Sequence, residues 1–149
     1  MIERLFNAYD LRGVYGRELN EDAAWKIGYA TALYLQRSRQ GGFAPKVTIE
    51  KTIVVGRDTR SHSAGLLGAL IEGIRAADSD VVDLGVIDTP MLYFAINHLD
   101  CVAGIMVTGG YLPAEHGGFL ISGPHARPIS NASGLEDIRR ISSTLRVGR

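Results

Sequence analysis

Thr52-Ile53-Val54-Val55-Gly56-Arg57-Asp58-Thr59-Arg60 holds the reading on which the fold turns. A strand with one wet face alternates apolar and polar residues. Four consecutive β-branched residues without alternation belong to a strand buried on both faces, as in a parallel sheet covered by helices. Gly56 then opens a charged loop at the strand's carboxyl end, where open α/β sheets carry their ligands.

Working outward, Leu66, Leu67, Leu70, Ile71 and Ile74 form one apolar face of a helix from about Ser63 to Ala77. Val81 to Leu84 reads as a second strand. Thr89 is expected to cap the next helix, with Pro90 at its first position, and that helix runs to about His98. Ala103 to Val107 and Phe119 to Ser122 read as further strands, and Ser133-Gly-Leu-Glu136 has capping-box spacing before Ile138, Ile141 and Leu145. Upstream, Phe6 to Tyr9 is read as extended. Asn20 caps a helix to about Gln36, with Ala24, Ile27, Thr31 and Leu35 at helical spacing, and Gly41 to Pro45 ends it. Strands separated by helices of this length imply βαβ crossovers, hence a three-layer α/β/α architecture with a mostly parallel, mixed sheet. No repeat or linker divides residues 1–149, which are read as one domain.

Composition excludes several function classes. The chain is 46% hydrophobic, with 16 basic and 16 acidic residues and zero formal net charge, so no global field favours nucleic acid or an anionic membrane. The start, Met1-Ile-Glu-Arg-Leu-Phe6, lacks the plan of a signal peptide, and no apolar run reaches the length of a membrane span. The lone cysteine, Cys101, lies in an apolar run and is read as core, which fits a reducing, cytoplasmic setting.

Three loops are expected to meet at one sheet edge: Tyr9-Asp-Leu-Arg-Gly13 after the first strand, Gly56 to Arg60 after the second, and Thr108 to Gly118 after the fourth. Arg12, Arg57 and Arg60 can make bidentate hydrogen bonds to phosphate, and the glycines let backbone N–H groups approach it. The same arginines can instead brace the loops through Asp10 and Asp58. The Thr108 hydroxyl is expected to bond backbone in its turn. His62 and His116, without a carboxylate at ligand spacing, are read as solvent-exposed rather than catalytic or metal-binding.

At these loops the chain resembles the α-D-phosphohexomutases, which include phosphoglucomutase and phosphomannomutase. That family carries Tyr-Asp-Ile-Arg-Gly, then Gly-Arg-Asp-Thr/Ser-Arg, a Thr-Pro helix start, and a strand ending Val-Thr-Ala-Ser-His-Asn-Pro before Asn-Gly-Phe/Tyr-Lys. The matching residues are Tyr9 to Gly13, Gly56 to Arg60, Thr89-Pro90, Val107-Thr108 with Pro113, and Gly118-Phe119. They lie in order from about residue 6 to 140 and resemble the first of the family's four domains. The resemblance implies anion binding at Arg12, Arg57, Arg60 and Thr108. It places the family's phosphorylated serine at Gly110, its following histidine at Tyr111, its asparagines at Leu112 and Gly117, and its lysine at Leu120. The family's Mg²⁺ is held by the serine phosphate and an Asp-Gly-Asp-Gly-Asp segment of another domain, which this sequence lacks.

Phosphoryl transfer needs an acceptor oxygen, in-line positioning and a neutralising cation, and glycine supplies none of them. The expectation is therefore a stand-alone, non-catalytic homologue, without a catalytic residue, metal or cofactor of its own, that binds sugar phosphate weakly or serves assembly. The loop Tyr111-Leu112-Pro113 with Leu120 is a candidate contact for a second copy or another protein. The alternative is a part of a mutase, as a split subunit or fragment of an intramolecular phosphotransferase interconverting hexose 1- and 6-phosphates.

Overall fold

The computed structural model describes residues 1–39 and 51–146. The proposed helix end at Gly41 to Pro45 lies outside them. Among the described residues, five strands, β1 (Leu11–Val14), β2 (Thr52–Arg57), β3 (Asp80–Val86), β4 (Ala103–Val107) and β5 (His116–Ser122), form one sheet in the order β1-β5-β4-β2-β3. β2 pairs in parallel with β3 and β4, while β5 runs antiparallel to β4 and β1. The α-helices α1 (Glu21–Arg39), α2 (Ser63–Ala76), α3 (Thr89–His98) and α4 (Leu135–Thr144) connect and cover the sheet. No helix among the described residues is long and apolar enough to cross a membrane.

The sheet divides two cores. Ile53, Val55, Ile105, Val107, Phe119 and Ile121 pack with residues of α1, α2 and α4. Val54 and Met106 pack with Leu92 and Ile96 of α3 on the other face. Period-two alternation makes this division, so the unbroken apolar runs of β2 and β4 are what two covered faces require. Leu120, between Phe119 and Ile121, accordingly turns toward the α3 face, where it is partly buried. Cys101 is in that smaller core, and burial, followed by the nearby Asp100 charge, raises its thiol pKa.

Several boundaries differ from the sequence reading. Phe6 makes only an isolated bridge to Leu11, and the first strand begins at Leu11, so Arg12 lies within β1 rather than in a loop after it. Asp88, not Thr89, caps α3: its side chain accepts from the Met91 N–H at 3.0 Å, moving Thr89 to the first helical position. The capping box starts at Ser130 and closes on Ser133, and α4 follows Gly134 without a side-chain cap. Asn20 does cap α1, accepting from the Ala23 N–H at 2.9 Å.

Candidate functional site

A cleft of about 720 Å³ opens at the sheet edge among Asn7, Asp10, Arg12, Thr89 and the segment Thr108–Leu112, with Leu120 as an apolar wall. Antiparallel pairing sets Arg12 opposite Gly118 of β5. The Arg12 guanidinium crosses to the end of β4, where Nη1 donates to the Thr108 carbonyl, while Nε pairs with Asp10 at 3.2 Å. Asn7 Nδ2 donates to the other Asp10 oxygen at 3.0 Å and fixes the carboxylate from behind. These contacts direct Nη2 toward Gly110: a Cβ built on that glycine would lie 3.5 Å from it.

Asp58 organises the loop next to this cleft. Its Oδ1 accepts from the Arg60 N–H at 3.1 Å and from the Ser63 hydroxyl at 2.5 Å. Its Oδ2 accepts from the Gly109 N–H at 3.0 Å and pairs with Arg60 Nε at 3.2 Å. Burial alone would raise the carboxyl's pKa, but hydrogen bonds from Ser63 and the Gly109 and Arg60 N–H groups outweigh it and hold the value below the ordinary range.

The loop beyond is drawn around one guanidinium. Arg60 Nη2 donates to the carbonyls of Gly110 (2.9 Å) and Leu112 (2.8 Å), and Nη1 to those of Pro113 (2.5 Å) and His116 (3.1 Å). The Gly110 N–H donates to the Thr108 hydroxyl at 3.1 Å, the turn contact expected of that threonine, and the Leu112 N–H closes on the Gly109 carbonyl at 3.2 Å. Gly110 sits at φ +60°, a left-handed conformation that suits glycine.

The expected anion ligands therefore divide. Arg12 and Thr108 come together at the cleft, beside Gly110. Arg60 is committed to the loop carbonyls and Asp58, and does not line the cleft. Arg57 donates to the Asp58 carbonyl at 3.2 Å and also lies outside the lining. The ion pair expected for the loop exists, but joins Asp58 to Arg60 rather than to Arg57. Tyr111 is fully exposed and Leu112 is 41% exposed.

The histidines depart from the expected solvent exposure. His62 is buried, stacked on Tyr15 at 4.9 Å, with Nε2 bonded to the His116 carbonyl at 2.9 Å. His116 is partly buried, and its Nδ1 has no hydrogen-bond partner among the described residues. Asn7, outside the loops singled out from the sequence, also lines the cleft. Its signal was the Asn-x-x-Asp spacing of a side-chain-locked turn, Asn7 to Asp10.

The carboxylates near the cleft do not fit the Mg²⁺ that the family resemblance implies. Both oxygens of Asp10 and both of Asp58 already accept from protein donors. Among the described residues no three acidic, imidazole or thiol groups converge on a common point.

Comparison with known proteins matches this chain and its fold to one family. The profile of the phosphoglucomutase/phosphomannomutase α/β/α domain I covers residues 3–146. A phosphomannomutase of Salmonella montevideo is 42% identical over 137 residues, 92% of this chain and 27% of that protein. A phosphomannomutase of Klebsiella pneumoniae is 39% identical over 137 residues, 92% of this chain and 79% of its own length. The crystal structure of a phosphoglucomutase/phosphomannomutase family protein from Burkholderia thailandensis superposes with a TM-score of 0.78 at 31% identity, covering 95% of this chain and 30% of that one.

Proposed function

The chain belongs to the phosphoglucomutase/phosphomannomutase family through its α/β/α domain I, and from that premise we propose that it is a non-catalytic member that binds the phosphate of a sugar phosphate at the Arg12–Thr108 cleft. The observation that carries this reading is Gly110. The loop presents position 110 directly to the cleft's guanidinium, with a Cβ placed there 3.5 Å from Arg12 Nη2, yet the residue has no side chain to accept a phosphoryl group. The nearest hydroxyl in the loop, that of Thr108, accepts from the Gly110 N–H, while Tyr111 points fully into solvent. Cation and turn are retained while the acceptor is gone.

Binding is expected to be weak. Asp10 shares the Arg12 guanidinium and offsets part of its charge, and the open cleft leaves a bound anion solvated on one side. The affinity expected for hexose phosphate is on the order of millimolar. A second reading, a part of an intramolecular phosphotransferase completed by further domains, has in its favour the 42% identity to a phosphomannomutase nearly four times the matched length. Under it, a component outside this domain must supply the acceptor that Gly110 lacks.

The test is titration of ¹⁵N-labelled protein with glucose 1-phosphate, followed by amide chemical shifts. Saturable shifts are expected at residues 7–12 and 108–112 and should be lost in Arg12→Gln. Shifts absent from both segments, or unchanged in that variant, would remove the site.

A further inference from the structure

One apolar surface plays no part in the cleft. α3 is the α-helix packed on the β2–β4 side of the smaller core, and its outer face is largely uncovered. Phe94 is 68% exposed and Met91 52%, and they border a groove of about 580 Å³ with Ile87, Pro90 and Leu99. Val86, 53% exposed at the end of β3, extends the patch along the sheet edge. Hydrophobic residues scattered singly over a surface are ordinary, whereas a contiguous patch of this kind marks a contact.

The polar groups of the patch indicate what it meets. Among the described residues lining the groove, only Asp88 and His98 carry ionisable side chains. Asp88 caps the start of α3 and His98 is its last residue, so acid and base stand at opposite ends of one stripe. Asp88, Met91, Phe94 with Ala95, and His98 recur at three- and four-residue intervals and share a helix face. That stripe is complementary to itself. A two-fold axis across the middle of α3 sets Asp88 against the partner's His98 at both ends, places the helix dipoles antiparallel, and leaves Met91 and Phe94 to interleave between them. His98 is already stacked on Phe94 at 5.2 Å and 14°, which positions the base beside the apolar anchor.

Other modes of assembly fit less well. β3 is an edge strand, but Asp80 and Asp83 are exposed on it, and like charges there oppose continuation of the sheet into another copy. Among the described residues, no lysine or arginine lines the groove to meet an anionic membrane. We infer that the exposed face of α3 is a two-fold contact between copies of this chain, independent of any ligand in the cleft. The Tyr111 loop, where the exposed apolar side chains Tyr111 and Leu112 flank the cleft, is a separate candidate surface that the variants below distinguish from α3.

Sedimentation velocity of the full chain from about 10 μM to about 1 mM tests the contact. A monomer–dimer equilibrium is expected for the wild type. Phe94→Glu should be monomeric throughout, and His98→Asp, which places like charges at both ends, should dimerise at least tenfold more weakly. Both side chains are exposed, so circular dichroism should show an unchanged fold. The control Tyr111→Ser/Leu112→Asn should dimerise as the wild type does. The inference is overturned by a wild-type monomer over the whole range, by dimers that persist in folded Phe94→Glu or keep full strength in His98→Asp, or by a dimer that the loop double variant breaks.

Discussion

Both oxygens of Asp58 are spent inside the loop, on Ser63, the Arg60 and Gly109 N–H groups and the Arg60 guanidinium. Hydrogen bonds to a charged group cost most when the group is removed and its donors are left behind. Asp58→Ala is therefore expected to destabilise the domain by about 2 kcal/mol in denaturant titration. The carboxyl's pKa is lowered in the folded state, so its stabilisation is complete above the unfolded value of about 3.9 and is lost as pH falls through the folded one. Melting temperature should consequently fall less steeply below about pH 4 in Asp58→Asn than in the wild type. Equal slopes in the two proteins would mean that the Asp58 carboxylate stabilises the fold no more than it does the unfolded chain. The sequence showed Arg57, Asp58 and Arg60 as loop charges without distinguishing brace from ligand. That distinction depends on where the Gly110, Leu112, Pro113 and His116 carbonyls come to lie, about fifty residues away along the chain.

At the scale of elements, the pairing of α1 with α2 depends on backbone contact at two glycines. A Cβ on Gly28 would lie 2.3 Å from the Leu70 carbonyl oxygen, and one on Gly73 2.0 Å from that of Trp25. Gly73→Ala must push the helices apart at an overpacking cost of about 1–3 kcal/mol, which exceeds the ~1 kcal/mol gained in helix propensity. A Cβ on Gly68, on the exposed face of the same helix, would meet nothing within 4 Å among the described residues, so Gly68→Ala should stabilise by up to about 1 kcal/mol. Opposite shifts in denaturant midpoint for the two variants are expected, and a shift of the same sign would contradict the close packing. Elements with a strong local signature were legible before the structure: β2 and β4 from their unbroken apolar runs, α1 and α2 from their apolar faces. β1 was not, because Leu-Arg-Gly-Val carries little strand preference and is held by pairing with β5. The α3 cap moved to Asp88 because Thr-Pro at a helix start fits the cap and first turn in two registers.

At the scale of the molecule, α3 links two surfaces with different chemistry. Thr89 at its start lines the cleft, while Met91 and Phe94 line the groove on its outer side. An α3-mediated dimer would thus leave the cleft open to small anions, and ligand binding and self-association can be measured separately. The cleft brings a guanidinium to a loop position with no acceptor. Intact-mass spectrometry after incubation of the purified chain with Mg²⁺ and a bisphosphorylated hexose tests this directly. The account predicts an unmodified mass for the wild-type chain. A gain of one phosphoryl group, mapped by fragmentation to Thr108 or Tyr111, would contradict it.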